Sequence, residues 1–109
     1  MQDDPIIACA AVKQSGVALQ YASYHIRNDS EVVIEAVKKD GYALRFAGDE
    51  ACDDADVVME AVKNDGLALK YAGYDCQQDG NIVLEAVKQN GLALKYADVE
   101  TYYLSLIHI

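Results

Sequence analysis

Histidine, cysteine and positive charge are scarce in this chain, and long apolar runs are absent. Of the two histidines, His25 has Tyr24 and Arg27 beside it, which makes neither a catalytic triad nor a metal set. Three cysteines, Cys9, Cys52 and Cys76, are odd in number and lack zinc-ligand spacing. A bridge between Cys52 and Cys76 is open on spacing, but unpaired thiols of a reducing compartment are the expectation. Lys and Arg number 9 against 18 Asp and Glu, a formal charge of -9. Such a surface repels phosphate backbones and anionic headgroups, so neither nucleic acid nor membrane is expected as a partner, and a basic protein fits better. No apolar run approaches the roughly 20 residues that span a bilayer. The start, Met1-Gln2-Asp3-Asp4-Pro5, is acidic where a signal peptide is basic, so a cytoplasmic location is expected. Phosphate-cradling loops and nucleophile elbows are missing too. No cofactor, metal or enzymatic activity is therefore expected.

What is present is a 25-residue period. Ala11-Val12-Lys13 returns as Ala36-Val37-Lys38, Ala61-Val62-Lys63 and Ala86-Val87-Lys88. Asp4, Asp29, Asp54 and Asp79 open the units, and Gly16, Gly41, Gly66 and Gly91 hold a fixed place inside them. A period in this range marks stacked repeats. With 52% hydrophobic residues the chain can build a core, which excludes disorder.

The second unit, Asp29 to Asp53, shows the logic. Asp29 is placed to cap a helix over about Ser30–Lys39. In the first unit Pro5 follows Asp4, and Pro is favoured at the first helical position. Glu31, Glu35, Lys38 and Lys39 fall on one stripe, and Val32, Val33, Ile34, Ala36 and Val37 cover the rest. A helix so apolar needs neighbours on several sides, which stacked units supply. Gly41 fits a left-handed C′ position ending that helix. A shorter helix, Tyr42–Ala47, follows, too short to persist alone. Gly48 and Gly73 suggest turns, and the connectors 24–28, 49–53 and 74–78 are left undecided between loop and helical turn. Leu19, Leu44, Leu69 and Leu94 form one expected core column, and Tyr21, Phe46, Tyr71 and Tyr96 another. Cys9 shares its place with Ile34, Met59 and Leu84 and is expected as a small core residue.

The period calls for Asp at position 104, where Leu104 stands, followed by Ser105-Leu106-Ile107-His108-Ile109. These six residues resemble the translation of a transposase mosaic-end adapter, so 104–109 is expected to be a read-through tail and His108 is set aside. Without polar end units, the last unit should expose apolar surface.

The phrase Ile82-Val83-Leu84-Glu85-Ala86-Val87-Lys88-Gln89-Asn90-Gly91-Leu92-Ala93-Leu94-Lys95-Tyr96-Ala97, with the capping Asp79 before it, resembles the DUF4116 repeat. Ile26-Arg27-Asn28-Asp29 matches that family's connector, whereas Asp49–Asp53 and Tyr74–Gln78 depart from it. The resemblance covers Asp4 to about Ala97. It implies helical arrays, often within longer proteins, and brings no catalytic residues.

The expected architecture is an all-α solenoid of four 25-residue helical-hairpin units: 4–28, 29–53, 54–78 and 79–103. Residues common to every unit serve the fold, so Lys13, Lys38, Lys63 and Lys88 are expected on a solvated stripe. Glu35, Glu60 and Glu85 lie three residues before the last three of these lysines, ready to pair with them. His25 is expected at the surface. The variable connectors are the better site. Asp49, Glu50, Asp53, Asp54 and Asp56 crowd the second one without the glycine and closing glutamate of a calcium loop. Asp49, Glu50, Asp53 and Asp56, with Tyr24 and Tyr74, are the candidate partner-binding residues. A protein-binding or scaffold module follows from architecture alone. The alternative is an accessory segment of a larger protein, beside a catalytic domain.

Overall fold

The computed structural model describes residues 4–96, except for the side chain of Leu94. Residues 97–109, including the expected tail, lie outside that range. All regular structure among the described residues is helical. Four ten-residue helices, α1 (Pro5–Gln14), α3 (Ser30–Lys39), α4 (Ala55–Asn64) and α6 (Gly80–Gln89), recur at the sequence period. Each opens on its aspartate. The Asp29 carboxylate accepts the Glu31 N–H at 3.0 Å, Asp54 that of Asp56 at 2.9 Å, and Asp79 that of Asn81 at 2.9 Å. Asp4 accepts from Ile6 at 2.9 Å, directly across Pro5.

After each long helix comes a six-residue 3₁₀ helix: η1 (Gly16–Tyr21), η2 (Gly41–Phe46), η4 (Gly66–Tyr71) and η5 (Gly91–Tyr96). These are the expected shorter helices, shifted one residue earlier and wound more tightly. Three residues per turn put Gly41 and Leu44 on one side, and both are buried. Runs of this kind rarely exceed three or four residues. Packing and a second cap sustain these longer ones: Asp40 accepts the Tyr42 N–H, Asp65 the Leu67 N–H and Asn90 the Leu92 N–H, each at 3.0 Å.

The glycines stand where the sequence puts them, but for another reason. No described glycine has a positive φ. Asp40 turns the chain in extended geometry, and Gly41 starts η2. A Cβ on Gly16 would meet the Ala36 carbonyl of the following unit at 2.5 Å, and one on Gly41 the Ala61 carbonyl at 2.8 Å. Gly66 faces the Ala86 carbonyl in the same way. The demand is close approach between units, not a left-handed turn. At Gly91 no described residue lies within 4 Å.

The connectors resolve into short helices: α2 (Tyr24–Arg27), η3 (Ala51–Asp53) and α5 (Tyr74–Gln77). They are tied across units. The Gly48 N–H donates to the Arg27 carbonyl at 2.8 Å, and the Gly73 N–H to the Cys52 carbonyl at 2.7 Å. Asn28 accepts the N–H groups of Glu50 and Ala51.

The long helices pack side by side as one layer, and the 3₁₀ helices line up behind them as a second. The described chain extends 49 Å along one axis against 21 and 16 Å across. Val32, Val33, Ala36 and Val37, with Val57, Val58, Ala61 and Val62, fill the interior, and Leu19, Leu44 and Leu69 form the expected column. The aromatic column departs from expectation. Tyr21 is 64% exposed, and Phe46, Tyr71 and Tyr96 are half-buried at the edge of the 3₁₀ layer. With Leu rather than the ring pointing inward on these short helices, the aromatics are left at the rim.

Candidate functional site

A furrow runs along the outer side of the long-helix layer. Its floor is the position expected to be core: Cys9, Ile34 and Met59 are half-buried and Leu84 is 39% exposed. The inner long helices α3 and α4 each bury the four positions that face neighbours and the 3₁₀ layer, and this one falls just outside that arc. One hollow of about 350 Å³ is lined by Cys9, Lys13, Glu31, Ile34, Glu35 and Lys38. The next, about 400 Å³, is lined by Ile34, Lys38, Asp56, Met59, Glu60 and Lys63. Ile34 and Lys38 belong to both, so the furrow is continuous and repeats its register. A further hollow beside Pro5, Ile6, Cys9 and Ala10 extends it past α1.

The lysines therefore rim a groove. Of the expected ion pairs one closes among the described residues, Lys63 to Glu60 at 3.9 Å. The other lysines keep their charge toward solvent because exposed pairs gain too little to fix two long side chains.

The candidate residues on the connectors separate. Tyr24 and Tyr74 are 58% and 65% exposed, and Asp49 and Glu50 are exposed between them in sequence. His25 is exposed beside Tyr24, as expected. Asp53 faces inward: its carboxylate accepts the Cys76 N–H at 3.0 Å and caps the start of α5. Asp54 is spent on capping α4 and also accepts the Ser30 hydroxyl at 3.0 Å. Asp56 sits apart from the connector edge, on the furrow rim.

A row of cations over rings lies along the 3₁₀ layer. The Arg45 guanidinium is 4.5 Å from the Phe46 ring centre, and the Lys70 ammonium is 5.0 Å from Tyr71 and 6.0 Å from Tyr96. Tyr71 hydrogen bonding raises the Lys70 pKa. Tyr42 meets Tyr71 edge-on at 6.0 Å.

All three cysteines are free thiols. Burial, then the Asp53 carboxylate, pushes the Cys76 thiol up to about 12. Burial leads the upward shift at Cys52, ahead of Asp49 and Asp53, and also at Cys9, where Lys13 opposes it. Thiols held protonated at neutral pH are poor nucleophiles. Among the described residues no three His, Cys, Asp or Glu side chains gather to hold a metal ion. No described helix is long and apolar enough to cross a membrane.

Sequence reasoning missed the furrow, and size variation between units is no signal for it. The floor varies in size through Cys9, Ile34, Met59 and Leu84, but so does a buried position one period apart, Ile26, Ala51 and Cys76.

The geometry of the described residues is that of a helical repeat protein with an open grooved face. The chain belongs to the family described as domain of unknown function (DUF4116), whose pattern matches residues 4–50 and again 54–101. No curated protein and no solved structure matches it.

Proposed function

We propose that the chain is an α-solenoid of four 25-residue units that binds an extended protein segment along the long-helix furrow. One observation carries this reading: the same apolar floor with the same charged rims recurs from one unit to the next, and no described residue covers it. Helical repeats commonly use such extended surfaces for partners. Adjacent helices pack about 8–10 Å apart, and an extended chain advances roughly 3.3 Å per residue. A strand would turn every third side chain alternately toward and away from the floor, so the segment is one of polyproline II form, about 3.1 Å per residue and three residues per turn, with an apolar side chain on the floor every third residue. Glu31, Glu35, Asp56 and Glu60 along the furrow, on a protein of charge -9, favour a segment with basic residues between the apolar ones. The reading is a binding module with no catalytic role.

Random-peptide display tests it. Peptides enriched on the wild-type chain should carry that spacing and lose binding to Ile34→Glu and Met59→Glu, whose half-exposed positions leave the fold intact by circular dichroism. Peptides that bind those variants as well as wild type would sink the furrow. The exposed connector edge is the second reading, favoured by Tyr24 and Tyr74. It would be supported if Tyr24→Ala, Tyr74→Ala and Asp49→Lys abolish capture instead.

A further inference from the structure

The outer face of the 3₁₀ layer carries the charge sign opposite to that of the chain. Each of η2, η4 and η5 holds one charged residue, Arg45, Lys70 and Lys95, and no aspartate or glutamate lies within any of the three. The chain as a whole has 18 acidic residues against 9 basic ones. Arg45 and Lys70 are exposed, in inner units whose neighbours on both sides are described. Neither has a carboxylate within ion-pair distance among the described residues, where Lys63 and Glu60 form the one pair. The acids nearest in sequence are occupied or set apart. Asp40 and Asp65 cap the 3₁₀ helices through the Tyr42 and Leu67 N–H groups, and Asp49, Glu50 and Asp75 stand on the connectors.

What holds these cations in place is the rings beside them. The Arg45 guanidinium stands 4.5 Å from the Phe46 ring centre. The Lys70 ammonium stands 5.0 Å from that of Tyr71 and 6.0 Å from that of Tyr96, so it is seated between two units. Lys95 repeats the contact at 5.2 Å from Tyr96. A ring attracts a cation through its quadrupole and carries no net charge, so it positions the cation without neutralising it. Tyr71 leads the upward shift of the Lys70 pKa, followed by Tyr96 and Tyr42, and no carboxylate stands among these causes. The stack itself does not require a cation here, because η1 has the same six-residue form with Gln20 at this register.

We infer that the 3₁₀ face is a docking track for an acidic peptide segment whose carboxylates reach Arg45, Lys70 and Lys95 in turn. Charge complementarity identifies the occupant. The acidic surface elsewhere repels such a segment, and the ladder of cations attracts it. The cations step once per unit, and adjacent helices stand about 8–10 Å apart. Three residues of polyproline II advance about 9 Å, so a segment in that form with an acid at every third position matches the step. Cations already ordered over rings lose less side-chain freedom on capture than free ones do. A single-stranded nucleic acid fits less well. Its bases stack on open ring faces, and here a cation already stands over Phe46, Tyr71 and Tyr96. The proposal is independent of the furrow, which lies on the long-helix layer and takes the opposite charge.

Fluorescence anisotropy with a labelled peptide of four Glu-Pro-Pro repeats tests it. The wild-type chain should bind that peptide, release it as salt is raised, and ignore the peptide in which glutamine replaces every glutamate. Lys70→Gln should weaken binding roughly two- to fivefold, the share of one exposed ion pair, and Lys70→Arg should restore it. Lys39→Gln removes the same charge from the exposed end of α3, on the long-helix layer, and should change nothing. Circular dichroism should show all three variants folded, since η1 forms with Gln20. Equal binding of both peptides, or equal weakening by Lys70→Gln and Lys39→Gln, overturns the inference. So does a wild-type chain that leaves the glutamate peptide unbound up to millimolar concentration. An oligothymidylate captured more tightly than the peptide, and lost in Lys70→Gln, overturns it too and assigns the track to single-stranded nucleic acid.

Discussion

Adding one methyl group at two equivalent glycines should move stability in opposite directions. At Gly41 the new Cβ would sit 2.8 Å from the Ala61 carbonyl oxygen and 3.1 Å from the Asp65 Cβ. Close carbon–oxygen approaches between packed backbones are about 3.3–3.6 Å, so the units must part by roughly 0.5–0.8 Å at their tightest point. The carbonyl cannot swing aside cheaply, because it accepts the Asp65 N–H at 2.9 Å within α4. Overpacking of this kind costs about 1–3 kcal/mol. The gain from a stiffer unfolded chain, about 0.4–1 kcal/mol, offsets part of it. Gly41→Ala should therefore lose on the order of 1–2 kcal/mol. At Gly91 no described residue clashes with the new methyl and φ is not positive, so Gly91→Ala keeps only the gain. With about 4–8 °C per kcal/mol for a domain of this size, thermal melts in dilute solution should show Gly41→Ala falling by ~5–15 °C and Gly91→Ala rising by a few degrees. Urea titrations should give the same order. Equal losses at both sites would refute the reasoning, because they would mean each glycine answers a backbone demand inside its own unit.

Other perturbations separate structural from solvated charge. Asp53→Ala removes the cap on the Cys76 N–H and should cost about 0.5–2 kcal/mol. Asp49→Ala, on the exposed side of the same connector, should stay within about 0.5 kcal/mol by urea denaturation. Leu69→Ala empties a site that is 0% exposed and should cost roughly 2–5 kcal/mol in the same assay. The Cys76 thiol has a folded-state pKa raised to about 12. Its contribution is thus complete below the unfolded thiol value of about 8.5 and is lost as pH climbs from there toward the folded one. The urea midpoint should fall across that alkaline window, and Cys76→Ala should flatten the fall.

How much was legible depended on whether a residue's task lay inside its own unit. Asp29 caps the helix it precedes, so its role could be read from Asp29 and Ser30–Lys39 alone. The burial of Leu44 likewise followed from its recurrence as Leu19 and Leu69. Gly41 was located correctly and explained wrongly, because its constraint is the Ala61 carbonyl, twenty residues away in the next unit. Asp53 was misjudged for the same reason. It reads as one more charge in an acidic run, yet its partner is the Cys76 N–H. The connector helices were undecided because four or three residues carry no periodicity of their own; Asn28 and Asp53 of the preceding unit cap two of them.

This division bears on where a partner could be read. A glycine packed against the backbone carbonyl of the next unit has no room for a side chain and so no freedom to vary. Gly16, Gly41 and Gly66 are held this way, and they are identical. The floor positions Cys9, Ile34, Met59 and Leu84 feel only the requirement to stay apolar beside the core, so their sizes differ. A ligand lying along that floor would meet a small, a branched, a long flexible and another branched side chain in fixed order. If the proposed segment binds there, these sizes would set its direction and register, since reversing it would place its bulkiest residues against Met59 and Leu84 instead of the room beside Cys9. Cys9→Met fills that room. It should weaken the best-enriched display peptides while Met59→Leu, which nearly conserves volume, leaves them bound. Equal loss for both would mean that no side-chain sizes are read there.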